Sequence, residues 1–251
     1  MSRRPPLALR PRPKAPPIRS AMVLAAGLGK RMRPLTATRP KPMVAVAGKP
    51  LIDHALDRLK AAGVSRAIVN VHYLADALEG HVKRTPGIEV VISDERAELL
   101  ETGGGIAKAL PLIEDDVFLA VNSDNFWVDG PVDAIGLLAD RWDDAIMDAL
   151  LLVVPLARAN CHGGSGDFYM DADGRLSRRR PGRVAPFVFT GVQLLHRRLF
   201  ADVPAGPFSM NLLFDRAIAS GRLYGVVHQG LWFDVGTPPA VAKTEALLKE
   251  G

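Results

Sequence analysis

The chain has 251 residues, 48% of them hydrophobic and 24% charged, an ordinary globular composition with room for one sizeable α/β domain or two small ones. No uncharged apolar run approaches the ~18 residues of a membrane span; the longest, around Ala149–Ala157, reads as a buried strand. The single cysteine, Cys161, excludes an intramolecular disulfide framework and a cysteine zinc cage, and a reducing compartment, the cytoplasm, is the expected setting. The 32 Lys and Arg against 27 Asp and Glu give +5. Six of those bases (Arg3, Arg4, Arg10, Arg12, Lys14 and Arg19) fall in the first 20 residues with no acid, which leaves the remainder close to neutral. The high isoelectric point therefore belongs to one end, and neither a nucleic acid nor a membrane is expected as a partner.

Residues 1–20 also hold six prolines, which remove helical amides and clash with the preceding turn. They are expected to form a mobile, partly extended leader without the apolar core of a secretory signal, dispensable to a single folded domain over residues 21–251. Ala21–Ala26 is an apolar strand leading into a glycine- and arginine-rich loop. Leu51, Ile52, Ala55, Leu56 and Leu59 recur at helical spacing before Gly63. Strands follow at Ala67–Val71, Ile88–Ser93 and Val117–Val121, with helices predicted over Leu74–Lys83, Ile106–Leu110 and Val132–Asp140. This alternation predicts βαβ units and a Rossmann-like, mostly parallel mixed sheet with helices on both faces. The second half is less regular. Strands are predicted at Leu150–Val154, Val184–Leu195 and Leu223–His228, a turn at Asp171–Gly174, and helices near Met210–Ser220 and over Pro239–Lys249. There is no internal repeat; in particular, no hexapeptide series follows residue 230.

The first strand runs into Gly27-Leu28-Gly29-Lys30-Arg31-Met32-Arg33. Two glycines after a first strand let backbone amides approach a polyphosphate, and arginines supply charge to pair with it. A dinucleotide fingerprint needs a further Gly or Ala where Met32 stands, and a Walker loop needs Ser or Thr where Arg31 stands and Gly where Leu24 stands. The loop is thus of a third type. Downstream, Lys41 lies between Pro40 and Pro42, a setting that restricts the backbone and delivers an ammonium to a fixed spot at low reorganisation cost. Alone, either element is a plain turn; their combination is not.

Leu24-Ala25-Ala26-Gly27-Leu28-Gly29-Lys30-Arg31-Met32-Arg33-Pro34-Leu35-Thr36 followed by Pro40-Lys41-Pro42 resembles the signature of the sugar-1-phosphate nucleotidyltransferase family. The similarity extends through Leu100–Ile106, Val121–Asp124, Gly166–Phe168, Phe189–Gly191 and Trp232–Thr237. Within the family it is most similar to the short uridylyltransferases that act on N-acetylmuramate α-1-phosphate. The resemblance implies the nucleotide-diphospho-sugar transferase fold and nucleotide binding by Leu24, Ala25, Ala26, Gly27, Gly29, Arg31, Lys41, Glu101, Thr102, Gly103 and Gly104. It implies sugar contacts at Asn122, Gly166, Asp167, Thr190, Gly191 and Asn211, with Asp124 and Asp234 holding Mg²⁺.

The implied reaction is in-line attack of a sugar-1-phosphate oxygen on the α-phosphorus of a nucleoside triphosphate, with pyrophosphate leaving. That nucleophile is already ionised, so alignment and charge neutralisation suffice. Arg31 is assigned to the β/γ-phosphates, and Lys41 to the α-phosphate or the incoming phosphate. A pyrimidine edge would be read by backbone near Gly103 with Glu95 or Glu101; their spacing departs by one residue from some relatives, and the reader stays unassigned. Longer relatives carry Glu-Lys-Pro where this chain has Arg179-Arg180-Pro181-Gly182-Arg183, so either Arg183 or Lys41 alone meets the sugar phosphate. His162 beside Cys161 falls short of a metal site. The expected partners are UTP and N-acetylmuramate α-1-phosphate, in peptidoglycan recycling, with the protein a monomer or small homo-oligomer. The rivals are a mannose-1-phosphate guanylyltransferase and, in a different class, a non-catalytic nucleotide-sugar sensor, with a dehydrogenase disfavoured by Met32.

Overall fold

In the computed structural model, which describes residues 17–250, the apolar runs become strands and the periodic segments helices. In chain order these are β1 (Ser20–Leu24), the small hairpin β2 (Ala45–Val46) and β3 (Lys49–Pro50), α1 (Leu51–Ala61), β4 (Arg66–Val71), α2 (Ala75–Val82), β5 (Glu89–Asp94), α3 (Glu101–Ala109), β6 (Val117–Asn122), β7 (Asn125–Val128) and α4 (Ala134–Arg141). The second half adds β8 (Ala149–Pro155), β9 (Ala159–Asn160), β10 (Phe168–Met170), β11 (Leu176–Arg178), β12 (Phe187–His196), α5 (Met210–Ala219), β13 (Leu223–Val227), β14 (Leu231–Asp234) and α6 (Pro238–Glu250).

The nine-stranded main sheet runs β11-β10-β12-β6-β1-β4-β5, with β8 and β13 continuing from β12. Strands β6, β1, β4 and β5 are mutually parallel, while β12 is antiparallel to β6 and β8. The sheet is therefore mixed, with a parallel half that carries the site. Side chains alternate across it as the pleat dictates. Ala21, Val23, Ala67, Val69, Leu119 and Val121 pack on one face with α1, α2 and α4, whereas Met22, Ile68, Phe118 and Ala120 pack on the other with α3 and α5. Burial on both faces explains why these strands read as unbroken apolar runs. A second sheet of three strands, β7-β14-β9, stands beside the first. A third, smaller apolar cluster of Met32, Val44, Val46, Leu51, Phe126, Phe233 and Val235 joins it to the loop after β1.

Most predicted elements fall within a few residues of their expected places. The first strand starts slightly earlier than expected: Ser20 opens β1, and the amides of Arg19 and Ser20 both donate to Asp115 Oδ2, at 3.1 and 2.7 Å. The rest of the expected leader, residues 1–16, lies outside the described residues. Among the described residues, no helix is long and apolar enough to cross a membrane.

Burial holds the imidazoles of His54, His196 and His228 below their usual range, which is about 6.5. As pH falls through that value the unfolded chain takes up these protons before the folded one, so stability declines below it. Urea unfolding is expected to give a lower midpoint at about pH 5.5 than at about pH 7.5; equal midpoints would contradict the neutral burial of these rings.

Candidate active site

Strands β1 and β6 are parallel neighbours, but the chain leaves β1 towards β4 and β5 and returns to β6 on the other side. Their carboxyl ends therefore flank a topological switch point, where open α/β sheets bind ligands. A cavity of about 560 Å³ opens there. The loop after β1 forms one part of its wall through Leu24 to Met32, and Lys41 and Pro42 continue it. Asn122, Ser123 and Asp124, at the end of β6, form another; Leu99, Glu101, Thr102, Ser209, Gly236 and Asn70 complete the lining.

The loop is shaped by what cannot be there. Gly29 has φ +62°, and a Cβ on it would lie 3.0 Å from both Lys41 Cβ and Thr36 Cγ2. Thr36 Oγ1 donates to the Gly29 carbonyl at 2.8 Å, so the lysine turn and the glycine loop are packed as one unit. Met32 is fully buried and anchors the short 3-10 turn Lys30–Met32, leaving Arg31 exposed at its surface. Lys41 begins a second 3-10 turn after Pro40, and its Nζ donates to Asp124 Oδ2. The expected phosphate lysine and one expected metal acid are thus in direct contact.

Asp234 arrives through the second sheet. Its register partner is Asn125, the neighbour of Asp124, so the two acids have Cα atoms within about 9 Å. Asp234 is not itself part of the cavity wall, but Gly236 is. A Cβ on Gly236 would lie 2.9 Å from Asp234 Oδ1 and 3.4 Å from Arg31 Nη2. Asp234 and Arg31 therefore converge on one backbone position. His162 Nδ1–H donates to Asp234 Oδ2 at 3.1 Å. From the sequence this histidine has no role, its pairing with Cys161 falling short of a metal site; the structure sets it against the distant acid. Among the described residues, no group of three or more His, Cys, Asp or Glu gathers as a metal cage. Two carboxylates are a donor set suited to a hard cation that completes its shell with phosphate oxygens and water.

The α3 end of the site differs from expectation. Glu101 and Thr102 line the cavity, and Glu101 takes φ +57°, a sparsely populated conformation for a residue with a side chain. The amides of Gly103 and Gly104, however, both donate to the Phe208 carbonyl, at 2.8 and 3.0 Å. They are not free to read a base edge, and neither glycine lines the cavity. Their lack of a side chain serves packing: a Cβ on Gly103 would stand 2.4 Å from Phe208 Cε2, and one on Gly104 2.5 Å from the Gly206 carbonyl. Glu95, an expected candidate reader, is fully buried and bonded to Asn70 and the Leu100 amide.

Of the expected sugar contacts, Asn122 lines the cavity. Gly191 (φ +81°) lies against it, since a Cβ there would fall 2.8 Å from Asn122 Nδ2. Thr190 is fully buried and spends its hydroxyl on the Leu152 carbonyl at 2.8 Å. Asp167 Oδ2 accepts the Phe189 amide at 2.9 Å, and Gly166 (φ +78°) packs onto Ala185. Asn211 is exposed, and its Oδ1 accepts from Arg178 Nη2 at 3.0 Å. The side chains of Thr190 and Asn211 are thus occupied within the fold. Arg183 is exposed and does not line the cavity. Sequence reasoning missed Asn70, Leu99 and Ser209 in the lining. For Asn70 the signal is a lone amide in the apolar run Ala67-Ile68-Val69-Asn70-Val71.

The nucleotidyl transferase family model matches residues 20–164, the stretch that carries the loop, Lys41 and Asp124. The chain belongs to the nucleotidyl transferase family. It is 46% identical over 234 residues to the N-acetylmuramate alpha-1-phosphate uridylyltransferase of Caulobacter vibrioides, covering 92% of this chain and 97% of that one. It is 36% identical over 230 residues to the enzyme of the same name from Neisseria meningitidis serogroup B, covering 90% and 97%. Among solved structures, HddC from Yersinia pseudotuberculosis, complexed with GMP-PN, superposes with a TM-score of 0.73 at 26% identity, covering 92% of this chain and all of that one.

In this nucleotidyltransferase the α3 entrance depends on the Gly103–Phe208 contact. Gly103→Ala forces its methyl into the Phe208 ring and towards its carbonyl, 2.9 Å away, an overpacking expected to cost about 1–3 kcal/mol. Urea denaturation measures that cost, and an unchanged midpoint would show that the loop around Phe208 yields freely.

Proposed function

We propose that this nucleotidyltransferase joins UTP to N-acetylmuramate α-1-phosphate in the cytoplasm, releasing pyrophosphate and supplying UDP-N-acetylmuramate to peptidoglycan recycling. The observation that carries the reading is the meeting of Lys41 and Asp124 at the mouth of the β1 loop, on a chain 46% identical to a uridylyltransferase of that name.

The triphosphate lies along residues 25–31, whose backbone leaves room at Gly27, where nothing beyond its own chain neighbours lies within 4 Å of a would-be Cβ. Arg31 pairs with its outer phosphates by charge-assisted hydrogen bonds. Lys41, freed from Asp124, neutralises the α-phosphate or the incoming sugar phosphate. No strong general base is needed, because a phosphate monoester is already anionic at neutral pH. Asp124 and Asp234 fit Mg²⁺ by donor type, by charge and by the register that brings them together. Bound there, the ion would draw negative charge from the phosphates. His162 fixes the orientation of the Asp234 carboxylate.

Pyrophosphate release from each of the four nucleoside triphosphates, with N-acetylmuramate α-1-phosphate or mannose 1-phosphate, tests the reading. UTP with the muramate phosphate is expected to be the productive pair. Preference for GTP with mannose 1-phosphate would make it a guanylyltransferase instead, and a UTP-dependent thermal shift without turnover would make it a sensor. Lys41→Gln is expected to lower kcat/KM by about 10²–10³, as loss of a preorganised charge does, with its unfolding temperature near that of the parent. Full activity in that variant would remove the lysine from the chemistry.

A further inference from the structure

The chemistry above uses neither Asn70, which lines the cavity, nor Glu95, which does not, yet both are among the most thoroughly buried polar groups of the described residues, at 2% and 0% exposed. They form a chain of hydrogen bonds. The Ala25 amide donates to Asn70 Oδ1 at 2.6 Å, Asn70 Nδ2 donates to Glu95 Oε1 at 2.7 Å, and the Leu100 amide donates to Glu95 Oε2 at 3.1 Å. Gly105 makes room for it, since a Cβ there would lie 2.8 Å from Glu95 Oε1 and 3.0 Å from Asn70 Nδ2. Both ends abut the cavity: Ala25 lines it, and Leu100 stands between the lining residues Leu99 and Glu101.

The polarity of this chain leaves no freedom. The Ala25 N–H obliges Asn70 to present its oxygen, so the amide nitrogen must face Glu95. The Leu100 N–H needs a second acceptor at the same residue. A carboxylate alone supplies two acceptors on one short side chain; glutamine supplies one. Both oxygens of Glu95 thus accept from neutral donors deep in the interior, where an unpaired polar group would be costly to desolvate. That arrangement makes sense where rigidity between two segments is what is needed.

We propose that Asn70 and Glu95 are positioning residues that lock the start of the phosphate loop to the start of α3, and that this lock sets the affinity of the cleft for the nucleoside triphosphate. Glu95 then acts on the nucleotide through Leu100 and Ala25 and touches no base. The proposal rests on the nucleotidyltransferase reading for the identity of the ligand.

Equilibrium binding of UTP in the presence of Mg²⁺ to the parent, Glu95→Gln, Asn70→Asp and the double variant tests it. In Glu95→Gln a donor meets a donor, and in Asn70→Asp a carboxylate meets a carboxylate. In the double variant the new carboxylate at position 70 accepts from the Ala25 amide and from the new amide at position 95, whose oxygen accepts from Leu100. Every hydrogen bond returns, with the carboxyl group moved one residue along. Each single variant is expected to weaken UTP binding about tenfold or more, and the double variant to return to within about threefold of the parent. A group with a purely structural role would lower the unfolding temperature and leave the Kd of the folded protein unchanged. Parent-like binding in the folded single variants overturns the proposal, as does a folded double variant that stays tenfold weak. If a single variant does not fold, the double variant decides alone by the same two outcomes. A parent that binds no UTP overturns the functional reading as well, whereas a parent that binds UTP beside insensitive variants overturns the lock alone.

Discussion

One carbonyl holds the two halves of the site together. The Leu24 oxygen, at the end of β1, accepts both the amide of Ser123 at 3.0 Å and its hydroxyl at 2.7 Å. The parallel pairing of β1 with β6 is thereby extended one residue past the strands, into the turn that carries Asp124. Lys41 comes from the β1 side of this junction and Asp124 from the β6 side, and their contact exists because the junction does. A slip of one residue in that pairing would turn every β6 side chain to the other face of the sheet.

The second sheet extends the same constraint to residues more than a hundred positions away. The β7–β14 pairing sets Asp234 opposite Asn125. Phe126 and Phe233, with ring centroids 5.8 Å apart, share an apolar cluster with Met32 of the loop after β1. Packing that orients the second acid therefore also seats the loop that carries Arg31. This coupling explains why Asp234 and Arg31 meet over Gly236 although no direct hydrogen bond joins them.

How much of this the sequence displayed depends on the range of the forces involved. Strands β1, β4 and β6 were legible because burial on both faces leaves unbroken apolar runs, and the place of the glycine loop and Lys41 in the cavity wall because each is a contiguous motif. The β7-β14-β9 sheet was not, because strands of two to four residues carry no periodicity. Helix α3 shows apolar periodicity only from Ile106, although Glu101–Gly105 reads as the start of a helix after a loop, as found. Its first five residues include three successive glycines, each disfavoured in a helix by about 1 kcal/mol. That segment is held by tertiary bonds from Gly103 and Gly104 to Phe208, which local sequence cannot reveal. Glu95 was visible as a candidate, but its role was not, since exposure and partners are set by Asn70 and Leu100 rather than by its neighbours in sequence. His162 was read with the residue beside it, Cys161, and belongs with one 72 positions later.

The Lys41–Asp124 pair sits at a depth that suits exchange. Its side chains are 13% and 32% exposed, so solvent screens the attraction more than in a fully buried pair and less than in a surface one, which contributes on the order of 1 kcal/mol or less. A fully buried pair would cost about 3–5 kcal/mol to break, and a lysine held that firmly could not be shared with a phosphate during turnover. At the surface, by contrast, the lysine would be mobile and its charge unfocused. The proline turn and the Gly29 contact fix where the ammonium can go, while partial exposure keeps its present partner replaceable. Rigid backbone with an exchangeable counter-charge is the combination that the phosphate role proposed for Lys41 requires.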